Sequence, residues 1–201
     1  MDEIQYMEKP EWVSWNNILD CLHEAHRVNK KKGFTMPGYD MTMEEFKEKL
    51  GDGHCFVALV GDRVIGVSSV RFIKSRRWCT WGKKVAYNGL DGILKEYQGT
   101  DVFISLNALR YRYIKESGVD IIEFNTAEHN KVVIKNNLKR GAKIVQYAHR
   151  APGGYHPIVM VRWLNGCPYP DWLCNFMFKL SKAIVTLSEI GSRHKEGVET
   201  K

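Results

Sequence analysis

Residues 91–125 read DGILKEYQGTDVFISLNALRYRYIKESGVDIIEFN, and three elements can be read from this one stretch. Ile93 and Leu94 end a short apolar run, which Tyr97, Gln98 and Gly99 then break. Thr100 and Asp101 are residue types that open helices. After them Val102, Phe103, Leu106, Leu109 and Tyr113 recur at helical spacing. Gly118 closes that helix as a C′ glycine, and residues 119–125 are β-rich. Strand, helix and strand in this order imply a crossover, and a crossover joins parallel strands.

On either side of this stretch the signals are antiparallel. Residues 54–60 and 63–73 are β-rich runs around Gly61 and Asp62, a tight hairpin signal. Residues 143–149 and 157–164 form another pair, joined by a PGGYH loop. Residues 3–8 alternate around Ile4 and Tyr6. From Glu11 the positions Trp12, Trp15, Ile18, Leu19, Leu22 and Ala25 mark a helix that residues 30–33 stop. Thr42 followed by Glu45 is a capping box, opening a short helix that carries Phe46 and Leu50. Residues 75–89 have no clean period and read as a long loop or an irregular hairpin before a short strand at 90–94. A helix over 128–139 turns Val133, Ile134 and Leu138 inward and stops at Gly141. Pro170 starts a last helix, with Leu173, Phe176, Met177, Leu180, Ile184 and Leu187 inward and Gly191 at its end. The expected fold class is α/β: a mixed, mostly antiparallel central sheet flanked by helices on both faces, with an added C-terminal helix. Residues 1–191 are expected to form one domain, and 192–201 a disordered tail.

Composition narrows the class of protein. A chain of 201 residues that is 44% hydrophobic and 11% aromatic can fill one core. No segment approaches the roughly 18–20 consecutive apolar residues that span a bilayer, and the acidic N-terminus lacks the features of a secretory signal. A soluble, cytoplasmic protein is expected. The five cysteines, at 21, 55, 79, 167 and 174, are odd in number and without CxxC spacing, which indicates neither a disulfide framework nor a metal site. The net charge of +7 favours an anionic ligand or partner.

A strand that turns into a helix N-terminus is a place where phosphate binds, because first-turn N–H groups lack intrahelical partners and the helix dipole is positive there. Residues 91–143 resemble the GNAT acyltransferase superfamily. In that family a strand, a Q/R-x-x-G-x-G/A turn and a helix precede a strand and an N-x-x-A-I-x-L-Y-x-K-x-G-F segment. Residues 92–99 are similar to the strand end and turn, Ser117, Gly118 and Val119 to the end of the following helix, and residues 130–141 to the second motif. The resemblance implies an N-acyltransferase that takes an acetyl or other acyl group from acetyl-CoA or another acyl-CoA, its co-substrate. The acceptor would be a small-molecule or peptide amine. By the same resemblance Ile93 and Leu94 supply main-chain contacts to the pantetheine arm. Gln98, Gly99, Thr100, Asp101 and Val102 cradle the phosphates, and Asn130 helps to hold the donor. Asn137 belongs to the same donor-side segment and stands where the family's tyrosine, which often protonates the departing thiolate, is found. Counted from Gln98, the two motif glycines fall on Asp101 and Phe103. Thr100 or Asp101 also reads as a plain helix cap.

Two carboxylates, Asp91 beside the turn and Glu123 on the next strand, are the candidates for a base that takes a proton from the amine. Tyr111, Tyr113 and Tyr147 are candidates to replace the missing tyrosine. His129 and His149 are weaker alternatives, and Cys79 has no histidine at a spacing that would activate it. Arg76, Arg77, Trp78, Trp81, Lys83 and Lys84 form a basic, aromatic stretch suited to an anionic or planar acceptor. The last helix, with Trp172, Phe176 and Phe178 beside Lys179 and Lys182, is suited to packing on its own domain or docking on a partner or membrane surface. Two alternatives keep the fold: a transferase that uses aminoacyl-tRNA, the only case with a nucleic-acid partner, and a non-catalytic binding module. A homodimer is compatible with all three.

Overall fold

A computed structural model describes residues 3–31, 41–151 and 154–198, with backbone alone for 28–31 and 191–198. The fold class is α/β, with a mixed, mostly antiparallel sheet and, among the described residues, five α-helices. The chain divides into two compact units, Met1–Ile122 and Glu123–Lys201.

The first unit runs β1 (Ile4–Glu8), α1 (Trp15–Lys31), α2 (Met43–Leu50), β2 (His54–Val60), β3 (Arg63–Lys74), β4 (Lys84–Asn88), β5 (Gly92–Ile93), one 3₁₀ turn (Lys95–Tyr97) and α3 (Val102–Glu116). The capping box of α2 forms in both directions: Glu45 N–H donates to Thr42 Oγ1 at 3.2 Å, and Thr42 N–H to Glu45 Oε2 at 2.9 Å. β1 pairs with β2 and β2 with β3, all antiparallel. β3 carries β4 and β5 in succession, with Val70 opposite Asn88 and Val67 opposite Gly92. Three residues, Gly89, Leu90 and Asp91, therefore face two, Ser68 and Ser69. β4 and β5 are one strand interrupted by a bulge. The loop expected over 75–89 is correspondingly shorter. Ser75 N–H donates to Lys83 O and Gly82 N–H to Ser75 O, both at 2.9 Å, so the chain turns back and Lys84–Asn88 rejoins the sheet. Val85, Ala86 and Asn88 are all buried, so this strand is covered on both faces and shows no alternation in its sequence.

Two glycines show how the helices cover the sheet. A Cβ on Gly66 would lie 3.0 Å from Leu106 and 3.1 Å from Val102 of α3; one on Gly92 would lie 3.0 Å from Leu22 and 3.1 Å from Ala25 of α1. Gly66 is opposite Ile93 and Gly92 opposite Val67, so the two glycines point to opposite faces. Hence α1 and α3 cover opposite faces of β3, each closing onto the backbone where a side chain is missing. The inward stripe of α3 is Val102, Leu106, Arg110 and Ile114, with Asn107 beside it. Spacing alone pointed to Phe103, Leu109 and Tyr113; Phe103 is exposed, and Tyr113 packs its ring against His54, Phe56 and Phe72.

The second unit holds most of β6 (Ile121–Ala127), then α4 (Lys131–Lys139), β7 (Lys143–Tyr147), β8 (Pro157–Trp163) and α5 (Asp171–Val198). β8 lies between β6 and β7 and is antiparallel to β7. α5 packs on β7: Tyr147 N–H donates to Ser181 Oγ at 2.8 Å, the Phe178 ring meets Tyr147 edge-on, and Cys174 and Val185 are buried. Three expectations are corrected here. Val133 and Leu138 of α4 are exposed, as are Phe176, Leu180, Ile184 and Leu187 of α5. The helix also continues through Gly191 to Val198, since one helical glycine costs only about 1 kcal/mol, too little to end a helix of this length. Residues 32–33 of the first expected stop, 152–153 of the PGGYH loop and 199–201 of the expected tail lie outside the described residues. Among the described residues no helix is long and apolar enough to cross a membrane.

Candidate functional site

The bulge between β4 and β5 leaves Ser69, which is opposite Cys55 of β2, without a regular ladder partner on its other side, and side chains take that place. Asp91 Oδ1 accepts from Ser69 N–H at 3.2 Å. Ser69 O accepts from Arg110 Nη1 at 3.1 Å and from Gly89 N–H at 3.4 Å. The same Arg110 nitrogen lies 2.7 and 2.9 Å from the two Asp91 oxygens, and Arg110 Nη2 donates to Asn107 Oδ1 at 2.5 Å. Asn107 Nδ2 in turn donates to Phe103 O at 2.8 Å. From α1, His26 Nε2 donates to the Asp91 carbonyl at 2.9 Å; a carbonyl only accepts, so Nε2 carries the proton. Burial lowers the pKa of His26, which favours the neutral ring. The Arg110 side chain is 3% exposed and that of Asp91 30%. A guanidinium this deep requires charge and hydrogen-bond partners, and the bulge supplies both.

Immediately beyond the bulge the chain enters the turn that opens α3. Leu94 N–H donates to Ile65 O at 3.0 Å, so Leu94 faces β3 and the polar groups of Ile93 face the other edge. There the Ile93 carbonyl accepts from Gln98 Nε2 at 2.9 Å, as it would from an added strand. Gly99 has φ +85°, with nothing within 4 Å of a Cβ placed on it. Thr100 Oγ1 donates to Tyr97 O at 2.6 Å and is 3.4 Å from Val102 N, beyond the usual capping range. The Asp101 side chain makes no cap bond. The N-terminus of α3 thus presents its dipole to solvent at an exposed, glycine-bearing turn, which suits an anion. Asp101 and Phe103 occupy the two positions where the motif has glycine, so the fit is to the turn and not to its side chains.

Asp91, Ile93, Leu94, Gln98, Gly99, Thr100, Asp101 and Val102 are therefore one contiguous constellation in the first unit. Glu123 is buried in β6, and the remaining expected residues lie at α4. Asn130 caps that helix, its side chain accepting from Val133 N–H at 3.3 Å, and Asn137 Nδ2 donates to Val133 O at 2.9 Å. Tyr147 is buried and its hydroxyl donates to Glu128 at 2.7 Å; burial and that carboxylate both raise its pKa. Burial likewise raises Tyr113. Cys79 is buried, His129 meets Tyr155 edge-on and His149 is exposed. Sequence spacing missed Arg110, Asn107, His26 and Ser69. The one available signal was the four-residue step from Val102 through Leu106 to Arg110 and Ile114, which places Arg110 on an apolar stripe.

No protein-family model matches the sequence, and no curated relative does; the likeness found is structural. A GCN5-related N-acetyltransferase from Kribbella flavida superposes with a TM-score of 0.60 at 18% identity, covering 80% of this chain and 98% of that one. A GNAT family acetyltransferase from Elizabethkingia anophelis with acetyl-CoA bound gives 0.59 at 12%, covering 82% and 100%. The PaiA N-acetyltransferase from Thermoplasma acidophilum in complex with coenzyme A gives 0.59 at 14%, covering 80% and 99%. What is shared at these identities is the fold: this chain has the fold of the GNAT acetyltransferases.

Proposed function

We propose that this chain is an N-acyltransferase that moves an acetyl or other acyl group from an acyl-CoA to an amine. The observation that carries the reading is the bulged β4–β5 strand running directly into the exposed N-terminus of α3, in a fold shared with two acetyltransferases solved with acetyl-CoA or coenzyme A. The amine nitrogen attacks the thioester carbonyl carbon, the C–N bond forms, the C–S bond breaks and the thiolate leaves. The amine proton passes to a base, directly or through water. Asp91 does not take it, because its carboxylate, paired with Arg110 and bonded to Ser69 N–H, holds the bulge that presents Ile93. Gln98 moves off the Ile93 carbonyl when the donor arm takes that edge. Placement and electrostatic polarisation of the thioester, more than proton transfer, then supply the rate.

A thermal-shift titration with acetyl-CoA, a longer acyl-CoA and free CoA tests this. A saturable rise is expected, because a ligand that binds only the folded chain stabilises it. No rise up to millimolar ligand overturns the reading. Asp101→Asn, which removes a negative charge beside the phosphates, is expected to tighten CoA binding severalfold.

The β3–β4 hairpin favours a second reading, transfer from aminoacyl-tRNA on the same fold. Between Asp62 and Asp91 the sequence has seven Arg or Lys residues and no acid, and Trp81 is 72% exposed at the turn. Binding of transfer RNA that weakens steeply with salt, together with no response to CoA, would select it.

A further inference from the structure

We propose that the outward face of α5 is a self-association surface whose occupant is the same face of a second copy of this chain. α5 is amphipathic twice over. Cys174, Ser181 and Val185 turn one side to β7, while Trp172, Phe176, Leu180, Ile184, Leu187 and Ile190 line another side and are all exposed, Trp172 and Leu187 at 69%. Phe176, Leu180, Ala183, Leu187 and Ile190 are spaced by four, three, four and three residues. This is the spacing of a helix-pairing seam, which keeps one line of side chains facing a partner helix over two heptads.

The area fits a dimer. From their fractional exposures the six large side chains offer about 700 Å² per chain, or about 1,400 Å² between two copies, within the range of stable protein interfaces. The seam is also self-compatible. Phe176 and Ile190 lie equally far on either side of Ala183, so a two-fold axis at Ala183 matches large residues to large ones and puts the smallest side chain where the helices come closest. The flanks favour a protein partner over a lipid surface. A helix that lies in a membrane interface keeps a charged face opposite its apolar one, but here the opposite face is packed on β7. Lys179 and Lys182 flank the seam on one side only, while Met177 and Ile184 lie on the other.

Sedimentation equilibrium of the full chain across the micromolar range tests the proposal. The wild type is expected at twice the chain mass, and Leu180→Glu/Leu187→Glu at the mass of one chain with an unchanged far-ultraviolet circular dichroism spectrum. Ala183→Cys is expected to give a covalent pair without reductant, and none when combined with the two glutamates. A wild type that stays monomeric throughout overturns the proposal, whether or not it binds phosphatidylserine vesicles. A double variant that still pairs, or an Ala183→Cys chain that does not cross-link, overturns it as well.

Discussion

α3 and α5 are both long helices with a clear apolar stripe, yet they use it in opposite ways. α3 turns an arginine and an asparagine inward and leaves Phe103 and Ile104 to solvent, whereas α5 buries a cysteine and a valine, half-buries a serine and leaves six large apolar residues outside. The difference comes from what each helix meets. α3 lies over a bulge that exposes unmatched backbone and a carboxylate, so a buried guanidinium is stabilised there. α5 meets β7, whose Tyr147 N–H takes the hydroxyl of Ser181. The helix therefore turns a narrow, partly polar side to the strand.

The largest expected effect separates the two helices most sharply. Arg110→Leu leaves the Asp91 carboxylate and Ser69 without their partner and should cost about 3–5 kcal/mol in urea unfolding, seen as a lower midpoint at constant slope. A loss below about 1 kcal/mol would mean that the bulge holds without the pair. Gly66→Ala comes next: its Cβ would press on Leu106 and Val102, and about 1–3 kcal/mol is expected from the same measurement. The dependence on pH follows from His26. Its folded pKa lies below the ordinary 6.5, so the unfolded chain binds the extra proton first, and this contribution to stability is lost as pH falls through 6.5. His26→Gln should flatten that slope in melts between neutral and mildly acidic pH. The smallest effect belongs to α5. At concentrations that keep the chain monomeric, Leu187→Ala should change stability by less than about 0.5 kcal/mol, against about 2–5 kcal/mol for Leu106→Ala on α3.

Features that depend on neighbours in sequence were legible from it. Thr42 and Glu45 read as a capping box because both bonds close within one turn, and Gly61 with Asp62 read as a hairpin because the turn needs only those residues. The candidate site was half legible. Residues 98–102 stood out by their place between a strand and a helix, and Asp91 stood out as a carboxylate beside them. Arg110 did not, because a charge on an apolar stripe reads as a flaw until its partner, 19 residues earlier, is folded against it. β4 was hidden for a related reason: a strand buried on both faces has no alternation to detect.

For this protein the sequence alone determined the element order apart from β4, the helix starts and stops that rest on local capping, and the likeness to the GNAT strand, turn and helix. Each of these is set by interactions among residues a few positions apart. Only the tertiary structure decided which side of each helix faces the sheet and which carboxylate is tied up in an ion pair. Helical spacing offers several neighbouring stripes, and the choice among them depends on the shape, charge and unmet hydrogen bonds of a strand far away along the chain.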